Sequence, residues 1–487
     1  MTLRIAFPYD KKITAYEPTK IHLVPEYILL ENMYSTLVEF DFSNSSDING
    51  GIAESFEWQG DELHFKIKQN LKTATGYQIT AKDAEFSLKR VLVLSSNTHG
   101  NFKDIICPGK EIKSTSDKCE GIFVKDDFTL VLKTSGVKDF LVNMLTAIDF
   151  AIIPIPSVDP TSLKILDYKN TSGAFYLSED HGNGFIDLLP NKNHYHYSLT
   201  MPQKIELIPA GIGKHKTSIE LYSEGKIDHI TTSDKTTPEE IIDYTRSNED
   251  AVLHSTMNIR TYAMFFTDKG LKKYSQKERI SIGKTIQSTL RKYFNQKSGY
   301  EDRSQLFPAF GDGELNESEY ASIKNLYNET EPASSTQNFK VSILRIGALK
   351  DYKSIIEDNL KGAKVELGEN VPAFSKFNSD DEIPDAFIGG PDISFSEDIG
   401  LISYSMNAGI FGLSKNEQAK WLKDYMETPS KETRIVKLKQ LHKEALLNGV
   451  IIPISSSPYV AITKKPWQTK LPKLVGNDLF WRIVKND

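Results

Sequence analysis

"GYQITAKDAEFSLKRVL" runs from Gly76 to Leu92, and its reading decides how the rest of the chain is understood. Glycine reaches backbone angles that other residues avoid, so Gly76 marks a turn. Thr80 stands three residues ahead of Asp83, close to the hydroxyl–acid pairing that caps a helix start. Ala84, Leu88, Val91 and Leu92 then recur at helical spacing and define one apolar face. Lys89 and Arg90 fall in the last turn, where cations suit the helix dipole. The stretch predicts a turn, an N-cap and a helix with one buried side.

Outward from this helix the chain alternates strand and helix patterns. "DELHFKIKQNL" before it and "FTLVLKT" after it alternate with the period of half-buried strands, through Leu63, Phe65, Ile67 and Phe128, Leu130, Leu132. "LRIAF" at residues 3–7 reads as an opening strand, and helical spacing follows around Leu29, Met33 and Leu37. "FAIIPIP" reads as a short buried strand, "GFIDLLPN" and "KIELIPA" as further strands, and "HKTSIELYSEGKIDHI" as helix, glycine stop and strand. "SQKERISIGKTIQSTLRKYF" predicts a helix that starts on the Ser275–Glu278 capping box and buries Ile282, Ile286, Leu290 and Phe294. Residues 328–338, "NETEPASSTQN", have linker composition and precede the strand "FKVSILRIG" and the helix "KDYKSIIEDNLKG". "DAFIGGPD" reads as a strand ending in a tight turn. Helices starting at Ser414 and near Ser430 follow, and then the strand pair "VIIPISSSPYVAI". No internal repeat is visible, and the fold class is mixed α/β.

At 487 residues the chain exceeds one core and predicts about two or three domains. A net charge of −6 gives no electrostatic reason to expect nucleic acid or an anionic membrane as partner. No apolar run is long enough for a membrane span. The opening "MTLRIAFPYD" lacks a basic region followed by a long apolar stretch. It reads as a chain without a leader, either cytoplasmic or a mature form with a start Met. Cys107 and Cys119 share a polar segment, where a short-range disulfide is preferred over two free thiols. A bridge would imply an oxidising compartment.

The order of these pieces resembles the signature region of the peptide-type (family 5) extracellular solute-binding proteins, the binding components of oligopeptide, dipeptide and nickel ABC importers. Ala53, Glu54, Ser55 and Phe56 match the family's "A-E-S-W". Leu71, Lys72 and Gly76 match part of "G-V-K-F-x-D-G", with Thr73 and Thr75 departing from it. Thr80, Ala81, Asp83, Phe86, Ser87 and Arg90 match "T-A-x-D-V-x-F-S-x-x-R". Weaker blocks follow in the family's order at "CEGIFVKDDFTLVLKT", "NTSGAFYLSEDHGNGFIDLLPNKNHYH", "IELYSEGKIDHI" and "DAFIGGPDISFSEDIG".

The resemblance implies a two-lobed periplasmic binding protein-like fold with a ligand cleft between the lobes. Lobe I would hold residues 1–250, with an inserted subdomain at 36–165. Lobe II would hold 251–455, and 456–487 would return to lobe I. Crossings would fall near "AVLHSTMNIRTYAMFF" and "VIIPISSSPYVAI". The capped helix is then a structural piece of lobe I. The implied function is capture of a short peptide or similar small hydrophilic ligand for an ABC permease, by a monomer that needs no cofactor. The implied location is the periplasm or a lipid-anchored position on the cell surface. A ligand-sensing receptor of the same fold is the alternative, and a peptide or murein-fragment hydrolase a further one.

Asp392 in "GGPDIS" aligns with the aspartate that holds a peptide's α-amine in this family, although Ile393 replaces the family's tyrosine and the preceding tryptophan is missing. A turn aspartate capping its own loop is the plainer reading. Tyr404, Met406 and Asn407 are candidates for lining the cleft, and Arg345 for meeting a ligand carboxylate. Trp421 reads as helix packing. His194 and His196 would share one face of a strand, but two histidines without a third ligand make a poor metal set. "ERISIGKT" ends like a P-loop, yet Glu278 stands where the first glycine belongs and the lysine falls inside a helix pattern. There is neither a G-x-S-x-G elbow nor an H-E-x-x-H helix, so catalytic residues are not expected.

Overall fold

Asp83 shows why the quoted stretch folds as it does. Its carboxylate is fully buried and accepts from Thr80 N at 2.8 Å, Thr80 Oγ1 at 2.9 Å, Tyr77 Oη at 3.0 Å and Ile155 N at 3.0 Å. One side chain thereby ties turn, helix start and a segment 72 residues away. The helix runs Ala81–Leu94, two residues beyond the quoted stretch. Arg90 is not a surface cation at a helix end. It is buried, pairs with Glu17 and donates to Leu163 O at 2.9 Å through Nε.

The computed structural model describes residues 1–9, 16–21, 24–40, 48–94, 102–134, 138–231, 236–256, 258, 260–309, 311–344, 350–368, 383–390, 411–469, 471 and 479–486. They form two compact units: Met1–Thr231 with Asn248–His254 and Ala461–Asp487, and Thr232–Ser247 with Ser255–Val460. No helix among the described residues is long and apolar enough to cross a membrane.

The first unit is built on a seven-stranded sheet. Its order is β12 (Ala251–Ser255), β19 (Val460–Lys464), β11 (His229–Thr231), β1 (Thr2–Phe7), β10 (Lys204–Pro209), β9 (Phe185–Pro190) and β8 (Phe175–Gly182). β1 runs parallel to both neighbours. Leu3, Ile5 and Phe7 alternate into a core shared with Ile205, Leu207, Ile186 and Leu188. The helix Val24–Met33 adds Leu29, Leu30 and Met33 to it. The helix stops before Leu37, which leads into the pair β2 (Val38–Phe40) and β3 (Ile48–Gly50). A four-stranded antiparallel sheet follows in the order β4 (Ala53–Gln59), β5 (Glu62–Ile67), β7 (Thr129–Lys133), β6 (Ile122–Asp126), and Ala81–Leu94 packs on β6 and β7. Cys107 and Cys119 are joined by a disulfide, with their Cα atoms 5.5 Å apart. A last small pair, β20 (Trp467–Gln468) and β21 (Val484–Lys485), lies near the C-terminus.

The second unit has a six-stranded sheet ordered β14 (Glu301–Asp302), β18 (Ile451–Ser457), β13 (Arg260–Phe266), β17 (Ala386–Gly389), β15 (Ser335–Leu344), β16 (Lys361–Gly368). The helix Gln276–Phe294 begins on the predicted Ser275–Glu278 capping box. It packs Ile282, Ile286, Leu290 and Phe294 against Met264, Phe266, Ile452 and Ile454.

Three expectations are corrected. The run at 151–156 joins no sheet. Ile152 N donates to Ser35 O at 2.9 Å and Ile153 N to Ser87 Oγ at 2.8 Å, so its donors are used outside any ladder, and Pro154 has none to offer. The supposed linker is mostly regular: the helix Glu317–Glu329 takes its start and β15 takes Ser335 onward. Residues 194–196 form turns rather than a strand.

Candidate functional site

Parallel strands must be joined by crossovers, and where successive crossovers leave in opposite directions the carboxyl ends open a crevice for ligands. The second unit has this topology. β15 is parallel to β16 on one side and to β17 on the other. Ile343 pairs with Ile388, so Leu344 and Gly389 end level. β13 is antiparallel and begins at the same edge, with Ala263 opposite Gly389 and Arg260, Thr261 and Tyr262 beyond it. β18 ends there, placing Ser457, Ser456 and Ser455 opposite those three residues.

The edge carries hydroxyl and aromatic side chains. Ser457 Oγ donates to Tyr262 Oη at 3.4 Å, and Ser455 Oγ donates to Glu301 O at 2.8 Å. Thr261 Oγ1 is buried and has no partner among the described residues. The Tyr262 ring stacks on Phe294 at 5.7 Å, and Phe294 stacks on Tyr300 at 4.7 Å. Burial pushes the Tyr300 phenol above its usual range, and the nearby Tyr262 adds to the shift. A Cβ at Gly390 would come within 3.1 Å of both the Tyr262 ring and Arg260 Cγ. Glycine is therefore what lets the chain leave β17 flat against that ring. Hydroxyls, a guanidinium and an aromatic wall suit a polar ligand held by hydrogen bonds. The first unit repeats the topology: β1 lies between parallel β10 and β11, and the connection from β10 to β11 crosses to its other side.

Arg345 follows β15 in sequence, and Asp392 comes two residues after Gly390. Arg345, Asp392, Tyr404, Met406 and Asn407 all lie outside the described residues. Arg260, Thr261, Tyr262 and Ser455–Ser457 were not singled out from the sequence. The available signal was three serines closing an apolar strand, an odd ending for a segment that is buried along its whole length.

His194 and His196 serve the first unit's packing. His194 Nδ1 accepts the His196 N–H at 3.2 Å, so Nε2 carries the ring proton and donates to Ser35 Oγ at 3.0 Å. Burial pushes this ring well below the usual imidazole range, with His196 and Lys68 adding to the shift. The pair cannot act as nucleophile and base, because the nitrogen facing the hydroxyl is already protonated. His196 Nε2 lies 2.9 Å from Glu39 Oε1, and its ring stacks on Trp481 at 3.6 Å.

Residues 47–280 match the family described as bacterial extracellular solute-binding proteins, family 5, middle region. No curated protein matches the chain. Among solved structures, the murein tripeptide binding protein MppA of Escherichia coli is similar at 16 % identity and a TM-score of 0.72, covering 99 % of this chain and 98 % of its own. Haemophilus influenzae OppA in complex with RPPGFSPFR is similar at 16 % identity and a TM-score of 0.71, with coverage of 99 % and 98 %. A periplasmic oligopeptide-binding protein, OppAIV, of Borrelia burgdorferi gives 15 % identity, a TM-score of 0.76 and full coverage of both chains, 100 % each. At these identities the likeness establishes the fold: a mixed α/β chain of the periplasmic binding protein type.

Proposed function

We propose that the chain is an extracytoplasmic solute-binding protein of an ABC importer that captures a short peptide or a similarly small hydrophilic ligand. The observation that carries this reading is the edge of the second unit. There Arg260 and Thr261 of β13 and Ser456 and Ser457 of β18 extend past the end of β17, and Arg260 and the Tyr262 ring lie against Gly390. Such an edge can serve the backbone of an extended ligand while tolerating varied side chains. The match of residues 47–280 to family 5 supports it. Asp392 is the proposed partner of a ligand's α-amine, since a carboxylate facing an ammonium away from water makes a strong oriented pair. Arg345 is the proposed partner of a ligand carboxylate, and Tyr404, Met406 and Asn407 line the remainder. A membrane permease receives the loaded monomer in the periplasm or at the cell surface. No step of this function needs a catalytic residue.

Native mass spectrometry tests the reading, on the purified protein and again after denaturation and refolding. A bound mass of several hundred daltons, lost on refolding and restored by a peptide mixture, is expected. Asp392→Ala should weaken the restored complex. A protein that stays empty in both states and ignores peptides would overturn the peptide assignment.

A further inference from the structure

The hairpin of β8 and β9 breaks a rule of sheet design. Glu179 on β8 pairs directly with Asp187 on β9, and Asp187 pairs directly with Glu206 on β10. Like charges opposite one another across strands destabilise a sheet. Arg4 continues the row beside Glu206 and is bound to Asp228 at 2.6 Å. Lys204 Nζ lies 2.9 Å from Asp187 and 2.8 Å from Glu206. Four carboxylates therefore face two permanent cations, an excess of two negative charges. His181 sits against it, with Nε2 3.2 Å from Asp187 Oδ2 and Nδ1 3.4 Å from Glu179 Oε1.

We propose that Glu179, His181 and Asp187 form a surface site for a late first-row divalent cation such as zinc. Their ligand atoms all lie within 4.8 Å of one another. A tetrahedral zinc with ligands at about 2.0–2.1 Å holds them roughly 3.3 Å apart, close to the 3.2 Å between His181 Nε2 and Asp187 Oδ2. One imidazole with two carboxylates is a borderline donor set that zinc accepts and that calcium or magnesium does not prefer. Nε2 of His181 and Asp187 take the ion first. Glu179, whose side chain is 64 % exposed, rotates from the Nδ1 edge to join them. The ion supplies the two positive charges that the row lacks and releases Lys204 from Asp187, leaving it to Glu206.

The test is zinc titration by calorimetry on the untagged full chain, run beside His181→Ala and Lys204→Ala. The chain has ten histidines, so the assignment rests on the variants rather than on binding alone. One equivalent of micromolar affinity is expected. His181→Ala should weaken it by roughly tenfold or more. Lys204→Ala should tighten it by about threefold, because the competing ammonium is gone. Peptide retention should be the same in all three proteins. Absence of binding by the parent chain, or either variant binding zinc like the parent, overturns the proposal.

Discussion

Replacing Asp83 with alanine tests whether the capped helix is a structural piece or a ligand-facing one. The carboxylate is fully buried and receives four donors: two from Thr80, one from Tyr77 and one from Ile155. A hydrogen bond to a charged acceptor contributes about 1.5–3 kcal/mol, and less where water can replace the acceptor. Thr80 and Tyr77 are only partly buried and Ile155 is exposed, so about 1 kcal/mol per donor is the appropriate scale. The expected cost is therefore about 4 kcal/mol, including the lost helix cap. Asp83→Asn keeps the size and one acceptor oxygen but turns an amide NH2 toward donors, and should cost about half as much. Urea unfolding followed by fluorescence measures both, since Trp58 stands on β4 of the neighbouring sheet. Ligand retention measured well below the unfolding midpoint should equal that of the parent, because every acceptor position of Asp83 is engaged by the protein. A cost below about 1 kcal/mol, or loss of ligand from a folded Asp83→Ala protein, would refute the structural reading.

His442 gives a pH dependence with a definite sign. Its Nε2 accepts Leu306 N–H at 3.1 Å and its Nδ1 donates to Gly313 O at 3.0 Å, so burial holds the neutral ring and lowers its pKa to about 4. The unfolded chain takes up that proton near pH 6.5, so the stabilisation is complete above this value and is lost as pH falls toward 4, by about 3 kcal/mol. Melting temperatures from pH 7 to 4 should fall more steeply for the parent than for His442→Asn; parallel curves would contradict this. The Cys107–Cys119 bridge closes a short loop with a sequence separation of 12, and the double Cys→Ser variant should lose about 3 kcal/mol in denaturant unfolding. A double variant as stable as the oxidised parent would show that the loop is held by its own packing.

The parts legible in the sequence are those whose cause is local. The helix Gln276–Phe294 announces itself because the capping box and the apolar stripe lie within one segment. β5 and β7 do so because alternation is visible within strands of six and five residues. The Glu17–Arg90 pair could not be read, since its partners stand 73 residues apart and only the packed core brings them together. "FAIIPIP" misled because an apolar extended run looks the same whether its N–H groups meet a strand, as a ladder needs, or Ser35 and Ser87, as they do here. The candidate edge was half legible. "FKVSILRIG" and "DAFIGGPD" announce two strands and their ends, but nothing local says that Arg260 and Ser457 lie just beyond those ends.

That placement follows from register, and register explains where the candidate edge lies. The pairing of Ile343 with Ile388 ends β15 and β17 level, and that of Ala263 with Gly389 carries β13 three residues past them. The pairing of Arg260 with Ser457 brings the end of β18 level with the start of β13. A slip of one residue would turn each strand over and send Tyr262 to the opposite face, away from Phe294 and Tyr300. The apolar core that fixes the register, Met264 and Phe266 against Ile286 and Leu290, is thus what holds the polar edge in place. Gly390 carries this one step further: a side chain there would meet Tyr262, so the backbone leaves β17 along a path set by that ring. Gly390, just past the end of β17, is therefore held by the same core that sets the register.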